Sequence, residues 1–393
     1  MTKVKTFNNI SEKGLSLFDM NEYSVSADYA EYDAALVRSA VLHDVEFPAS
    51  LLAIARAGAG VNNIPLDECA KKGICVFNTP GANANAVKEL AVAGLLLASR
   101  DIVGGINWVK TIKEDPDVAK LVEKGKAKFA GQEILGKKLG IIGLGAIGGP
   151  LANAAVSLGM DVYGCDPYLS VDGAWKLSRS VHHVKTRYEI FANCDYISVH
   201  TPLVDNPDPS INTKKMINRE TLAMMKDGVI ILNFARDLLV DDDAMAEAIA
   251  SGKVKKYVTD FPNTKTAGMD GVIAIPHLGA STEESEENCA VMAVNEIKTF
   301  IETGNIINSV NLPNCELAYT GRQRITVIHA NVPNIVSQLT QAFSKYNINI
   351  DSMANKSKGE FAYTIIDIDN DINEDIEGII NTIEGVIKVR VIR

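Results

Sequence analysis

The sequence predicts an α/β protein with two doubly wound parallel-sheet domains and a small C-terminal βαββαβ domain. Three observations predict it. Short apolar runs alternate with helical patterns through the first hundred residues. The alternation restarts at 139, where a glycine-rich turn follows the first strand, and residues 322–393 follow a different order. In chain order, "AALVR" (34–38), "LLAIAR" (51–56) and "ICVFN" (74–78) read as buried strands. "PLDECAKKG" (65–73) reads as a helix opened by proline and closed by glycine. "NAVKELAVAGLLLASR" (85–100) is a long, mostly buried helix, and the lysine-bearing stretch 109–131 is an exposed helix and loop. Between 139 and 277, six strand-like runs end near Gly143, Asp166, His200, Asn233, Asp260 and Ile275, predicting a six-strand sheet. A helix over 282–303 follows. The tail reads strand "RITVIHA", helix "NIVSQLTQAFSKY", strands "INIDSMAN" and "FAYTIIDID", helix "NEDIEGIINTIE" (373–384) and strand "VIKVRVI". That is the order of a ferredoxin-like module.

Composition narrows the function. At 393 residues, 47% apolar and 22% charged, the chain has the make-up of an ordinary globular protein. A formal net charge of −10 argues against general nucleic-acid or anionic-membrane binding, which both want a basic face. The longest apolar run, 90–98, is far shorter than the roughly 20 residues of a membrane span, and no secretory signal opens the chain. Cysteines at 69, 75, 165, 194, 289 and 315 form no C-x-x-C pair. They suit reduced thiols in the cytoplasm and offer no metal site.

"KLGIIGLGAIGGPLANAAVSLGMDVYGCDPY" carries the strongest signal. Gly143, Gly145 and Gly148 form G-x-G-x-x-G straight after an apolar strand and at the head of an apolar helix. Asp166 ends the next strand, 18 residues beyond Gly148. The glycines allow a tight turn and close approach to a pyrophosphate, and the helix N-terminus supplies N–H groups to it. A carboxylate at 166 accepts from ribose hydroxyls and repels a 2′-phosphate, so NAD is expected over NADP. Ligands in such sheets bind beyond the strands' carboxyl ends, where Asp260 and His277 also stand.

These motifs, with "RAGAGVNNI", "NTPGANANAVKEL", "HTPL", "NFARD", "VTDF" and "PHLGAST" in that order, resemble the D-specific 2-hydroxyacid dehydrogenases over residues 4 to about 310. The resemblance implies a substrate-binding domain from 1–100 and 281–312, with an NAD-binding Rossmann domain, 101–280, inserted between them and the site in their cleft. The pattern is nearest to members that oxidise 3-phosphoglycerate to 3-phosphohydroxypyruvate at the first step of serine synthesis. Residues 320–393 resemble an ACT module, which senses amino acids. The implied partners are NAD, 3-phosphoglycerate and L-serine as effector, in a homodimer or homotetramer. Two other readings stand beside this one: another NAD-dependent D-2-hydroxyacid dehydrogenase, or a non-catalytic NAD-sensing binder.

Carried over by position, Arg236 binds the substrate's carboxylate and carbonyl, and His277 carries the proton. Arg56 and the backbone amides of Ala57, Gly58 and Gly60 complete the substrate site. Thr79, Ala146, Ile147, Thr201, Phe234, Asp260 and Gly279 line the NAD site with the glycines and Asp166. His329, Asn331 and Asn349 match the serine-holding positions, while Asn334 stands where relatives often carry glycine. One departure concerns the carboxylate that pairs with the histidine in the family. Between Asp260 and Asp270 there is none, and Lys265 or Thr264 falls on its position. Asp260, expected on the nicotinamide side, is a poor substitute, and a nearby Lys265 would push His277 toward its neutral form.

Overall fold

The computed structural model describes residues 1–321, 323–369 and 375–392. Contacts divide the chain into two compact units: Met1–Asn83 together with the residues from Glu283 onward, and Ala84–Thr282. The long helix Ala84–Ser99 therefore belongs with the second unit, whereas the sequence placed it in the first. Its Val87, Ala91, Leu95 and Ala98 pack with Leu139, Ile141 and Leu151.

In the first unit, five parallel strands run in the order Tyr23–Ser26, Thr2–Thr6, Ala34–Val37, Ala53–Arg56, Cys75–Asn78. Neither Thr2–Thr6 nor Tyr23–Ser26 was foreseen. Both lie toward one edge, and their "TKVKT" and "YSVS" carry too little apolar sequence to announce a strand. The helix Glu283–Thr303 returns to this unit and buries Ala290, Ala293, Ile297 and Phe300 against it.

The second unit holds a seven-stranded parallel sheet. Its order is Val272–Ala274, Val254–Thr259, Val229–Asn233, Tyr196–Val199, Lys138–Ile142, Asp161–Cys165, His182–His183. The first strand in sequence thus sits inside the sheet between the second and the fourth, the order of a doubly wound dinucleotide-binding fold. The strand beyond the expected six is the exposed pair His182–His183, which reads as surface but adds to the edge beside Tyr163 and Gly164. The His182 ring stacks on Tyr163 and its Nε2 lies 3.0 Å from Asp161.

The tail forms a four-stranded antiparallel sheet ordered Ile350–Lys358, Phe361–Ile368, Arg324–Ala330, Val386–Ile392. The helices Ile335–Lys345 and Ile376–Asn381 cover the face that carries Ile325, Val327 and Ile366. The second helix was expected from 373, and residues 373–374 lie outside the described ones. Ile328, Tyr363 and Ile365 point to the other face, because side chains alternate along a strand, and join the core of the first unit. Among the described residues no helix is long and apolar enough to cross a membrane.

Candidate active site

The glycine turn stands at the carboxyl end of the strand Lys138–Ile142. Gly143 adopts φ +92°. A side chain on Gly148 would collide with the Gly143 carbonyl, so only glycine lets the helix Gly148–Ser157 start this close to the strand. Gly145 faces open space. Asp166, straight after the strand Asp161–Cys165, accepts from the Leu144 N–H at 2.9 Å through Oδ2 and from the Tyr168 N–H at 2.8 Å through Oδ1. Each carboxylate oxygen keeps a further lone pair for a ligand. Gly145, Ala146 and Asp166 line a cavity of about 410 Å³ with Tyr168 and Leu169. The last two went unforeseen, although their place just after Asp166 was the available signal. Phe234 is buried against Gly94, and Ile147 packs on the adjoining core, so neither faces this cavity.

The arrangement fits NAD. The cradle is open at Gly145, and Thr201 sits beside Gly143 with its hydroxyl buried and unpartnered. Asp260, 1% exposed, likewise leaves Oδ1 without a hydrogen-bond partner. Burial pushes the Asp260 carboxyl above the ordinary carboxylate range, while His277, the Gly279 amide and Arg236 pull it back. The charges of both expected catalytic residues therefore bear on Asp260. His277 is exposed, with its ring 4.5 Å from that of Phe261. Arg236 is exposed beyond the strand Val229–Asn233, with Nη1 donating to the Ala235 carbonyl at 2.6 Å.

Lys265 is engaged elsewhere. Its ammonium lies 2.6 Å from Asp243, which raises its pKa, and Asp242 and Asp241 add to the effect. The sequence expected Lys265 to act on His277 and Asp260 to stand apart. The structure instead ties Lys265 to the acidic start of the helix Asp242–Ala250, while the charge of His277 bears on Asp260.

The first unit carries Arg56 at the end of the strand Ala53–Arg56. Its Nε donates to the Arg38 carbonyl at 3.1 Å, and its guanidinium runs so close under Gly58 that a side chain there would strike it. The amides of Ala57 and Gly58 are already spent on the Val37 and Arg56 carbonyls, each at 2.8 Å. The sequence had them as donors to a substrate, whereas here both are engaged within the chain, because it turns back on itself at this point. Gly60 lies further along, in the partly exposed part of the loop. Thr79 is buried and donates its N–H to the Gly58 carbonyl at 3.2 Å, which joins the two loop ends.

In the tail, His329 is buried with Nδ1 2.8 Å from the Ala330 carbonyl and Nε2 2.9 Å from the Thr364 hydroxyl. Asn331 is exposed and donates to the Gly359 carbonyl at 3.0 Å. Asn349 is exposed and donates to Asp369 at 2.6 Å. By strand register, His329 and Asn349 sit at opposite ends of the sheet, so one chain does not gather the three.

A family model described as the D-isomer specific 2-hydroxyacid dehydrogenase NAD binding domain matches residues 92–279. The chain is 31% identical to D-3-phosphoglycerate dehydrogenase of Haemophilus influenzae, over 88% of this chain and 83% of that one. It is 37% identical to hydroxypyruvate reductase of Thermotoga maritima, over 68% and 84% of the two chains. The solved NAD⁺-bound 3-phosphoglycerate dehydrogenase of Entamoeba histolytica shares the fold at TM-score 0.60 and 24% identity, covering 79% of this chain and 98% of that one. The glycine turn, the Asp166 carboxylate and the matches that run through both units make the chain a member of the D-isomer specific 2-hydroxyacid dehydrogenase family, with that family's NAD-binding domain.

Proposed function

We propose that the chain oxidises D-3-phosphoglycerate to 3-phosphohydroxypyruvate with NAD. The observation that carries the chemistry is Asp260, a buried carboxyl with an unpartnered oxygen on which the charges of both His277 and Arg236 bear. Arg236 presents a planar guanidinium that can grip the substrate carboxylate in two parallel hydrogen bonds. His277 takes the hydroxyl proton as the C2–H bond breaks, and the hydride leaves for the nicotinamide that NAD supplies. Products are the keto acid, NADH and one proton. A negative Asp260 favours the imidazolium that forms, so it replaces the carboxylate missing near residue 265. The phosphorylated substrate is supported by the relatives' activity and by the tail, which resembles an amino-acid-sensing module.

Regulation by L-serine and assembly as a homodimer or homotetramer belong to the same reading. Asn331 and Asn349 are exposed, and their separation in one chain suits a site shared by the tails of two subunits. The cysteines, all free and buried, suit a cytoplasmic enzyme. NADH formation with a panel of phosphorylated and unphosphorylated 2-hydroxy acids tests the substrate, and 3-phosphoglycerate is expected to give the highest kcat/KM. A clear preference for an unphosphorylated acid discards it. L-Serine titrated against the full chain tests the effector, and insensitivity discards that part alone.

A further inference from the structure

The helix Glu283–Thr303 buries a carboxyl that neither the proposed reaction nor the core requires. Glu296 is 6% exposed, on a helix whose neighbouring Ala293, Val294 and Ile297 are pure core. Its Oε1 accepts from the Asn308 amide at 2.8 Å, and its Oε2 is buried with no hydrogen-bond partner. Asn308 holds φ +60°, a left-handed turn that asparagine adopts readily, and this turn aims its amide at the carboxyl. Among the described residues no cation pairs with this carboxyl, and burial raises it to about 8 against that one amide. A leucine would fill such a position at no desolvation cost.

Glu296 also lines a surface cavity of about 540 Å³, within the range of small-molecule sites. Val291, Met292 and Ile307 give it an apolar wall, and Asn295 adds an exposed amide. We propose that this cavity binds a small molecule carrying a primary ammonium group on a short aliphatic chain. A charged N–H donor is the strongest partner an isolated carboxylate can take. The aliphatic wall matches the methylenes, and the Asn295 amide can meet a polar far end. The chain's net charge of −10 favours a cation. The lining residues all belong to the first unit, and the site stands whether or not the substrate reading holds.

The test is calorimetric titration of the full chain near pH 7 with 3-amino-1-propanol and, as its uncharged counterpart, 1,3-propanediol. Saturable binding of the amine is expected, at least about tenfold tighter than the diol. Because Glu296 is mostly protonated at that pH, binding is expected to release close to one proton, read from two buffers of different ionisation enthalpy. Glu296→Gln is expected to abolish both binding and proton release without lowering the rate of NADH formation. Met292→Trp fills the cavity and spares the carboxyl, and it is expected to abolish binding too. It decides the matter if circular dichroism shows Glu296→Gln unfolded. No saturable amine binding by the wild type, equal binding of the diol, or binding that survives Met292→Trp overturns the proposal.

Discussion

At the residue scale, the roles proposed for Asp166, Asp260 and His277 can each be tested by a single substitution. Asp166→Ala removes an acceptor for ribose hydroxyls and the repulsion of a 2′-phosphate. KM for NAD is expected to rise about tenfold, in line with one charge-assisted hydrogen bond, while KM for NADP stays level or falls. Equal native use of both cofactors refutes that role. His277→Ala is expected to lower kcat at least about a hundredfold. If Asp260 is the imidazole's partner, as proposed, Asp260→Asn is expected to lower kcat and move the acidic limb of the kcat/KM profile to lower pH, whereas Lys265→Glu leaves that limb in place. A shifted limb in Lys265→Glu would restore the lysine to the site. These residue types were legible in the sequence, because strand ends and a glycine turn mark where chemistry sits. The pairing of Lys265 with Asp243 was not, since it depends on which way side chains turn after a strand. His200 gives a pH test of stability. Burial lowers its imidazole from 6.5 to about 4, and Nε2 bonds the Ser198 hydroxyl at 2.8 Å. A depressed group stabilises the fold above its unfolded pKa and loses that contribution as pH falls through the folded value, because the unfolded chain takes the proton first. The unfolding temperature is expected to fall less between about pH 7 and pH 4 in His200→Gln than in the wild type.

The elements show where pattern reading works. "LGIIG", "GVIILN" and "RITVIHA" are apolar on both faces or nearly so, and each became a strand within a residue or two of its expected bounds. The strands that escaped are short, lie toward sheet edges and are polar, so burial leaves no mark in their sequence. Asn334 shows an element boundary decided by local chemistry. It adopts φ +70° just before the helix Ile335–Lys345, and asparagine is one of the few residues besides glycine that take this left-handed turn readily. The strand Arg324–Ala330 opens on a buried ion pair, with Arg324 Nε and Nη2 reaching the two Asp367 oxygens at 2.6 and 2.8 Å. Arg324 Nη1 continues to the Thr303 carbonyl at 2.7 Å. Arg324→Ala would leave Asp367 charged and unpaired in the interior. A loss of about 3–5 kcal/mol is expected from urea unfolding, with Arg324→Met no better, since it too strands the carboxylate. A loss below about 1 kcal/mol would mean that the pair is solvated.

At the scale of the molecule, the tail is built into the first unit through a shared core. Every position of "AYTIIDI" in the strand Phe361–Ile368 is buried, so both faces of that strand are covered. One face takes the tail's own helices. The other takes Ile328, Tyr363 and Ile365 into a shared core with Phe300, Ile306 and Leu312. The Tyr363 hydroxyl donates to the Gly304 carbonyl at 2.6 Å, and Lys388 reaches the Leu51 carbonyl at 2.7 Å. Arg390 donates to the Phe300 and Ile301 carbonyls at 3.2 and 2.9 Å and lies over the Phe300 ring. Together with Arg324, it gives the last turn of Glu283–Thr303 two cations, where unsatisfied carbonyls and the helix dipole favour them. A chain ended at residue 319 would therefore expose Phe300, Ile306 and Leu312, all buried to within 1%, and strip that helix end of both arginines. It is expected to aggregate, or to unfold at least about 10 °C below the full chain, the shift that a few kcal/mol produces. Its loss of serine sensitivity would then say nothing about where serine binds. Asn331→Ala and Asn349→Ala in the full chain are the discriminating variants, because both side chains are exposed and neither supports the shared core. A truncated chain that kept the full unfolding temperature and catalytic rate would show that the tail rests on the first unit without stabilising it.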